Sequence, residues 1–165
     1  MQQGAVTASY GLDASAAIGV LQAALATEIV CVLRYTAHAV SAQGINSRDV
    51  KAEFEQHAKD EAGHMTAIAN RINELGGVPN MNPDGLLTRS HTEYKTGSDL
   101  IDMIKEDLVA ERVAVESYTE IVRYFGDRDP TTRVLMESIL AKEEEHASDM
   151  HDLLVAHEGR PMLRS

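Results

Sequence analysis

Four long stretches with apolar residues at helical spacing are separated by a short, a long and a short connection, and this rhythm leaves few folds open to the chain. The first stretch covers residues 13–43 and ends at Gly44, with Leu21, Leu25, Val32 and Tyr35 recurring around Glu28. The second starts with Asn46 or Ser47 as cap, carries Phe54, His57, Glu61, His64, Ile68 and Ile72 along one broad side, and stops at Gly76 and Gly77. The third begins after Ser98, whose hydroxyl can cap the first turn while Asp99 and Asp102 suit its positive end. It runs through Leu108, Glu111, Val115 and Tyr118 to Gly126. The fourth opens on Asp129 and Pro130, a cap followed by a proline whose missing amide hydrogen is harmless there, and reaches Glu158 before Gly159 and Pro161. The short links make two antiparallel hairpins, whereas residues 76–97, rich in Pro, Gly and Asn, are enough to cross a bundle from end to end. The expected fold is all-α: a four-helix bundle of two antiparallel hairpins joined by a long crossover.

A chain of 165 residues with 44% hydrophobic content can bury a sizeable core, so one domain is expected over 1–165, with the bundle at about 12–158. The apolar run from residue 18 to 40 is broken by Gln22, Glu28, Arg34 and His38, and nothing near Met1 resembles a signal peptide. A cytoplasmic protein with no membrane partner is the default expectation. The single Cys31, between Val30 and Val32, reads as plain burial. A formal charge of −11 disfavours nucleic acid and anionic membranes and favours cations, and the absence of Trp argues against a base-stacking platform.

The chemistry lies in two Glu-x-x-His pairs, Glu61/His64 and Glu143/His146, on the second and fourth helices. A three-residue step along a helix turns by about 60° and rises about 4.5 Å, so carboxylate and imidazole point toward one place. The first and third helices each bring one carboxylate on an otherwise apolar face, Glu28 and Glu111, and each is followed seven residues later by a tyrosine, Tyr35 and Tyr118. An isolated buried carboxylate is costly, so each should be paired, protonated or bound to metal. Glu61 lies 33 residues after Glu28 and Glu143 lies 32 after Glu111, which folds each hairpin's two ligand points back to nearly one height. Four carboxylates and two imidazoles suit two ferrous ions in the core of a bundle. Around them, His57 could hydrogen-bond a ligand or guide entering metal, and Asp107 and Asp149 could orient ligand imidazoles.

The chain resembles the ferritin-like superfamily, and within it bacterioferritins and Dps-like ferritins. The stretches that carry the likeness are LATEIVCVLRYTAH (25–38), EFEQHAKDEAGHMTAIANRINELGGVP (53–79), DLVAE (107–111) and LAKEEEHASDMHDL (140–153). The resemblance implies an in-subunit di-iron centre ligated by Glu28, Glu61, His64, Glu111, Glu143 and His146, with Glu61 and Glu143 bridging and Tyr35 beside it. Mn or Zn are the expected substitutes for iron. Haem is not expected, because bacterioferritins place a haem-binding methionine immediately after the second-helix ligand and that position is Ala62 here; Met65 points elsewhere. Only seven residues follow Glu158, so no fifth helix is expected, and by family analogy a shell of 12 subunits is preferred over 24. Direct DNA binding is not expected, since the first 33 residues contain no Lys or Arg. The implied function is a ferroxidase that oxidises Fe(II) with O2 or H2O2 and stores ferric mineral in a hollow shell. The alternative is a non-storage di-iron or di-manganese oxidase or peroxidase on the same bundle.

Overall fold

Each helix begins and ends where its local chemistry provides for the unpaired backbone groups. In the computed structural model, which describes residues 4–44 and 47–158, α1 (Ala14–Ser41) starts with the Asp13 carboxylate accepting from the Ala16 amide at 2.8 Å. α2 (Ser47–Glu74) ends in a reversed turn: Gly76 adopts φ 90° and the Gly77 amide donates back to the Ile72 carbonyl at 2.9 Å. A side chain at Gly77 would place its first carbon 2.9 Å from Ile18, so the chain leaves the helix pressed against α1. The expected Asn46 cap of α2 lies outside the described residues.

The long connection is not featureless. It contains a further short helix, α3 (Leu86–Arg89), entered through Gly85 at φ 71° and pinned by Leu86, which is buried against Ala26 and Val30 of α1. The expectation of four helices is therefore corrected: the described residues form five α-helices. The Pro, Gly and Asn content of 76–97 concealed a single turn whose formation depends on contact with α1 more than on its own propensity. The expectation that no helix follows the last long one concerns residues 159–165, outside the described set. α4 (Leu100–Phe125) is capped by Asp99, which accepts from the Asp102 amide at 2.9 Å, and Ser98 donates its hydroxyl to the Asp102 side chain. A 3-10 turn (Gly126–Arg128) leads to α5 (Pro130–Glu158), where Asp129 accepts from the Thr132 amide at 2.9 Å as cap.

α1 pairs with α2 and α4 with α5, each as an antiparallel hairpin, and the crossover is fastened along α1 over much of its length. Gln22 donates to the Val78 carbonyl and accepts from the Asn80 amide, Thr27 accepts from the His91 amide, Arg34 donates to the Glu93 carbonyl, and His38 meets the Lys95 carbonyl at 3.0 Å. With neighbours on several sides, α1 can be apolar almost all round. Its mean hydropathy reaches 2.0 over 18 residues, enough by length and composition to cross a membrane, yet half of that window is buried inside the protein.

Besides the small cluster of Leu86 with Ala26 and Val30, the apolar core has two larger parts. One contains Leu21, Leu25, Ile68, Ile72, Tyr118, Phe125 and Met136. The other contains Tyr35, Phe54, Ile104, Leu108 and Met150. Between them the four long helices bring a layer of buried carboxylates and imidazoles.

Candidate metal centre

Antiparallel packing of α1 on α4 turns the two Glu-to-Tyr steps into a reciprocal pair. Tyr35 of α1 donates to Glu111 Oε1 of α4 at 2.5 Å, and Tyr118 of α4 donates to Glu28 of α1. Burial, then the neighbouring carboxylates, pushes both phenols well above their usual range, so both keep their protons as donors. α2 and α5 supply the other half with the same pseudo-twofold relation. His64 Nδ1 lies 3.1 Å from Glu61 Oε2, 3.1 Å from Glu143 Oε1 and 3.6 Å from Glu28 Oε2. His146 Nδ1 lies 3.1 Å from Glu61 Oε1, 3.8 Å from Glu143 Oε2 and 3.9 Å from Glu111 Oε1.

Two overlapping ligand groups result: Glu28, Glu61, His64 and Glu143 form one, and Glu61, Glu111, Glu143 and His146 the other, with donor atoms in each within 4.8 Å of one another. Glu61 and Glu143 belong to both. The structure thus brings together all six residues expected to converge. Glu28, Glu61, Glu111, Glu143 and His146 are each no more than 1% exposed, and the His64 side chain is 14% exposed at one edge.

The hydrogen bonding of this cluster is incomplete in a telling way. Glu28 Oε2, Glu111 Oε2 and both oxygens of Glu143 are buried without a hydrogen-bond partner, four of the six such side-chain atoms among the described residues. Buried polar atoms left unpaired cost about 1–3 kcal/mol each, and more when charged, so a protein would not retain four in one place without a further occupant. Four carboxylates and two imidazoles at this spacing are a donor set for two divalent ions of the iron, manganese or zinc type. Their electrostatics without metal agree. Burial, reinforced by Glu28 and Glu143, pushes Glu61 well above the usual carboxylate range, and burial with the Glu143 charge does the same to Glu111. Burial alone would raise Glu143 too, but the His146 and His64 imidazoles beside it, with Glu111, hold it below its usual value. Burial opposes charge on His64, but Glu143 and Glu28 outweigh it and raise the imidazole to about 9; His146 is likewise raised, chiefly by Glu143.

The surrounding residues sort differently from the sequence reading. Asp107 does not touch His64 or His146; it accepts from Arg34 Nε at 2.8 Å and meets His38 Nδ1 at 2.8 Å, all three side chains buried. Asp149 faces His57 Nε2 at 3.2 Å and no ligand imidazole. The residue that holds the outer nitrogen of a ligand histidine is Asp60, 3.1 Å from His146 Nε2. The available signal was its place beside Glu61, one residue off the inward face. His57 contacts the Tyr35 hydroxyl at 3.1 Å and stacks on His146 with ring centres 3.9 Å apart. Cys31 is buried, 3.5 Å from Arg34 Nη2, and burial pushes its thiol up to about 12.

A model of the ferritin-like domain family matches residues 18–158. The DNA protection during starvation protein of Pyrococcus furiosus is 32% identical over 154 residues, covering 92% of this chain and 82% of the relative. The nutrient stress-induced DNA-binding protein of Synechococcus is 34% identical over 132 residues, covering 77% and 74%. Among solved structures, a dodecameric thioferritin, the bacterioferritin-related protein of Bacteroides fragilis, superposes with a TM-score of 0.85 at 33% identity, covering 93% of this chain and 94% of that one. The names of the first two overturn the expectation that direct DNA binding is absent: a net charge of −11 averages over a surface and does not describe the local patch that meets a phosphate. Family match, helix order and clustered metal-binding side chains agree, and the chain belongs to the ferritin-like domain family.

Proposed function

We propose that this protein is a ferroxidase that takes Fe(II) as substrate at a dinuclear centre within one chain and passes the ferric product to storage. The observation that carries the reading is the pair of overlapping ligand groups with four partnerless buried carboxylate oxygens. Glu28 and His64 would hold one ion, Glu111 and His146 the other, and Glu61 and Glu143 would bridge them. Two irons held there supply one electron each, enough to reduce dioxygen to hydrogen peroxide, or hydrogen peroxide to water. The chain's own contribution is positional. Tyr35 and Tyr118 fix the carboxylates of Glu111 and Glu28, Asp60 fixes the ring of His146, and the flanking apolar clusters keep bulk water from the layer. Of the six ligand residues, His64 is the one with a side chain open to solvent among the described residues, and that edge would be the route by which metal and oxidant reach the layer.

Likeness to the dodecameric Bacteroides fragilis protein supports a shell of 12 subunits, with mineral held inside. The test is anaerobic addition of Fe(II) to metal-free protein of known assembly mass, followed by O2 or H2O2. Saturation at two irons per chain, then retention of many more per shell, is the expected result. Oxidation that halts at two would favour the non-storage oxidase or peroxidase. Unchanged oxidation in Glu61→Gln and Glu143→Gln would overturn the assignment of the centre.

A further inference from the structure

α1 lies at the surface of the chain but shows solvent no charge. Its 28 residues hold three acidic or basic side chains, Glu28, Arg34 and His38, and each is no more than 1% exposed. The outward side of a surface helix ordinarily carries charged residues, and 25% of this chain is charged, yet α1 turns outward Ile29, Leu33, Thr36, Ala37 and Val40. Leu33 is 50% exposed and Val40 74%, two turns apart on one line of the helix.

This uncharged strip continues onto the crossover. Ile29 packs into the cluster of Leu86 with Ala26 and Val30, and the crossover beyond exposes Val78, Met81, Leu87 and Tyr94. Six of the nine large apolar side chains exposed among the described residues therefore lie on α1 and the segment fastened to it, and none lies on α2. Apolar residues gathered on one face mark a contact surface, where the same residues scattered singly would not. At about 1.5 Å per residue and roughly two elements wide, the strip measures about 40 Å by 20 Å, or about 800 Å². That is the area one partner gives to a stable interface of standard size.

Charge decides what fits it. A basic or acidic partner would find nothing on the strip to pair with. A second copy of this chain, itself at −11, is repelled over most of its surface and can approach closely only where neither copy carries charge. Helices that lie on membranes set Lys and Arg opposite their apolar face, whereas α1 has one Arg, buried against Asp107.

We propose that the outward side of α1, with the exposed apolar residues of the crossover, is a self-complementary interface on which a second copy of this chain docks about a two-fold axis. The proposal rests on the shell reading in one respect: a shell closed in all directions has two-fold axes, at which one surface meets itself. With the axis normal to the strip, the two α1 helices run antiparallel. Leu33, near the middle of the open stretch 29–40, then meets its own counterpart.

The experiment is native mass spectrometry with sedimentation velocity on full-length protein at micromolar concentration. Wild-type protein is expected as 12 chains. Leu33→Glu and Leu33→Lys each set like charges against each other and should reduce the assembly to one or three chains. Co-expression of the two variants, which lets Glu meet Lys, should restore pairing. Thermal unfolding checks that each variant is folded, and Val40→Glu and Val40→Lys, at the more exposed position, repeat the test if the Leu33 pair is not. Folded variants that keep the wild-type mass would overturn the proposal, as would co-expression that fails to restore pairing. Wild-type protein that stays a single chain would overturn it too, and flotation of that chain with phosphatidylcholine vesicles would give the strip to a membrane surface. Wild-type protein that stops at two chains, and single chains in the variants, would leave this interface standing and sink the shell.

Discussion

Filling the dinuclear centre should expel protons, because its ligands hold them when no metal is bound. Without metal, burial and like charges push Glu61 and Glu111 well above the usual carboxylate range, so both hold a proton more tightly than a free carboxyl does. His64, raised to about 9, is charged at pH 7, and His146 is shifted in the same direction, chiefly by Glu143. Glu143 is already ionised. A metal ligand must be a carboxylate or a neutral imidazole nitrogen, so loading two divalent ions displaces at least about one proton per chain at pH 7, that of His64, and the upward shifts of Glu61, Glu111 and His146 can only add to it. The overall binding constant for the pair should then fall by at least about one power of ten for each unit the pH is lowered near neutrality. Zinc is the suitable probe because it adds no redox step. Isothermal titration in two buffers of different ionisation enthalpy gives the proton count directly, and a weakly buffered indicator assay checks it. A count below about one per pair of ions would refute the reasoning, since it would mean that the six groups are already deprotonated or do not bind the metal.

Two other outcomes are expected. Asp107→Ala leaves the Arg34 guanidinium buried without its partner, the situation for which about 3–5 kcal/mol is lost, or roughly 6–20 °C in melting temperature for a chain of this size; thermal unfolding of metal-free protein measures it, and an unchanged melting temperature would show that Arg34 finds water instead. The His64 pKa, higher folded than unfolded, stabilises metal-free protein fully below about pH 6.5, and that contribution is gone once the pH passes about 9; melting temperatures across this window should fall, His64→Gln should flatten the decline, and an equal slope in the variant would contradict it.

What could be read without coordinates followed from covalent spacing. Six residues on four helices meet because a hairpin with a short link returns the chain to the same height, a property of 33- and 32-residue steps that needs no knowledge of side-chain contacts. The reciprocity of Tyr35 with Glu111 and Tyr118 with Glu28 needed the rotation of α1 against α4, which spacing alone does not supply. The same limit applies to Asp107 and Asp149, which by spacing could orient ligand imidazoles: each lies on the right helix and near the right height, yet faces His38 and His57, while Asp60 faces His146. The short helix α3 escaped because four residues carry no periodicity; Leu86 is helical through its contact with α1.

The fastening of the crossover to α1 has a consequence for assembly of the centre. Glu28, Glu61 and His64 come from the first hairpin, and Glu111, Glu143 and His146 from the second. If one hairpin slid past the other by a single helical turn, about 5.4 Å, every ligand would lose its counterparts on the opposite hairpin even though apolar surfaces would still meet. The bonds from Gln22, Thr27, Arg34 and His38 to the crossover act as a ruler laid along α1, and they set where α4 begins relative to Glu28 before any metal arrives.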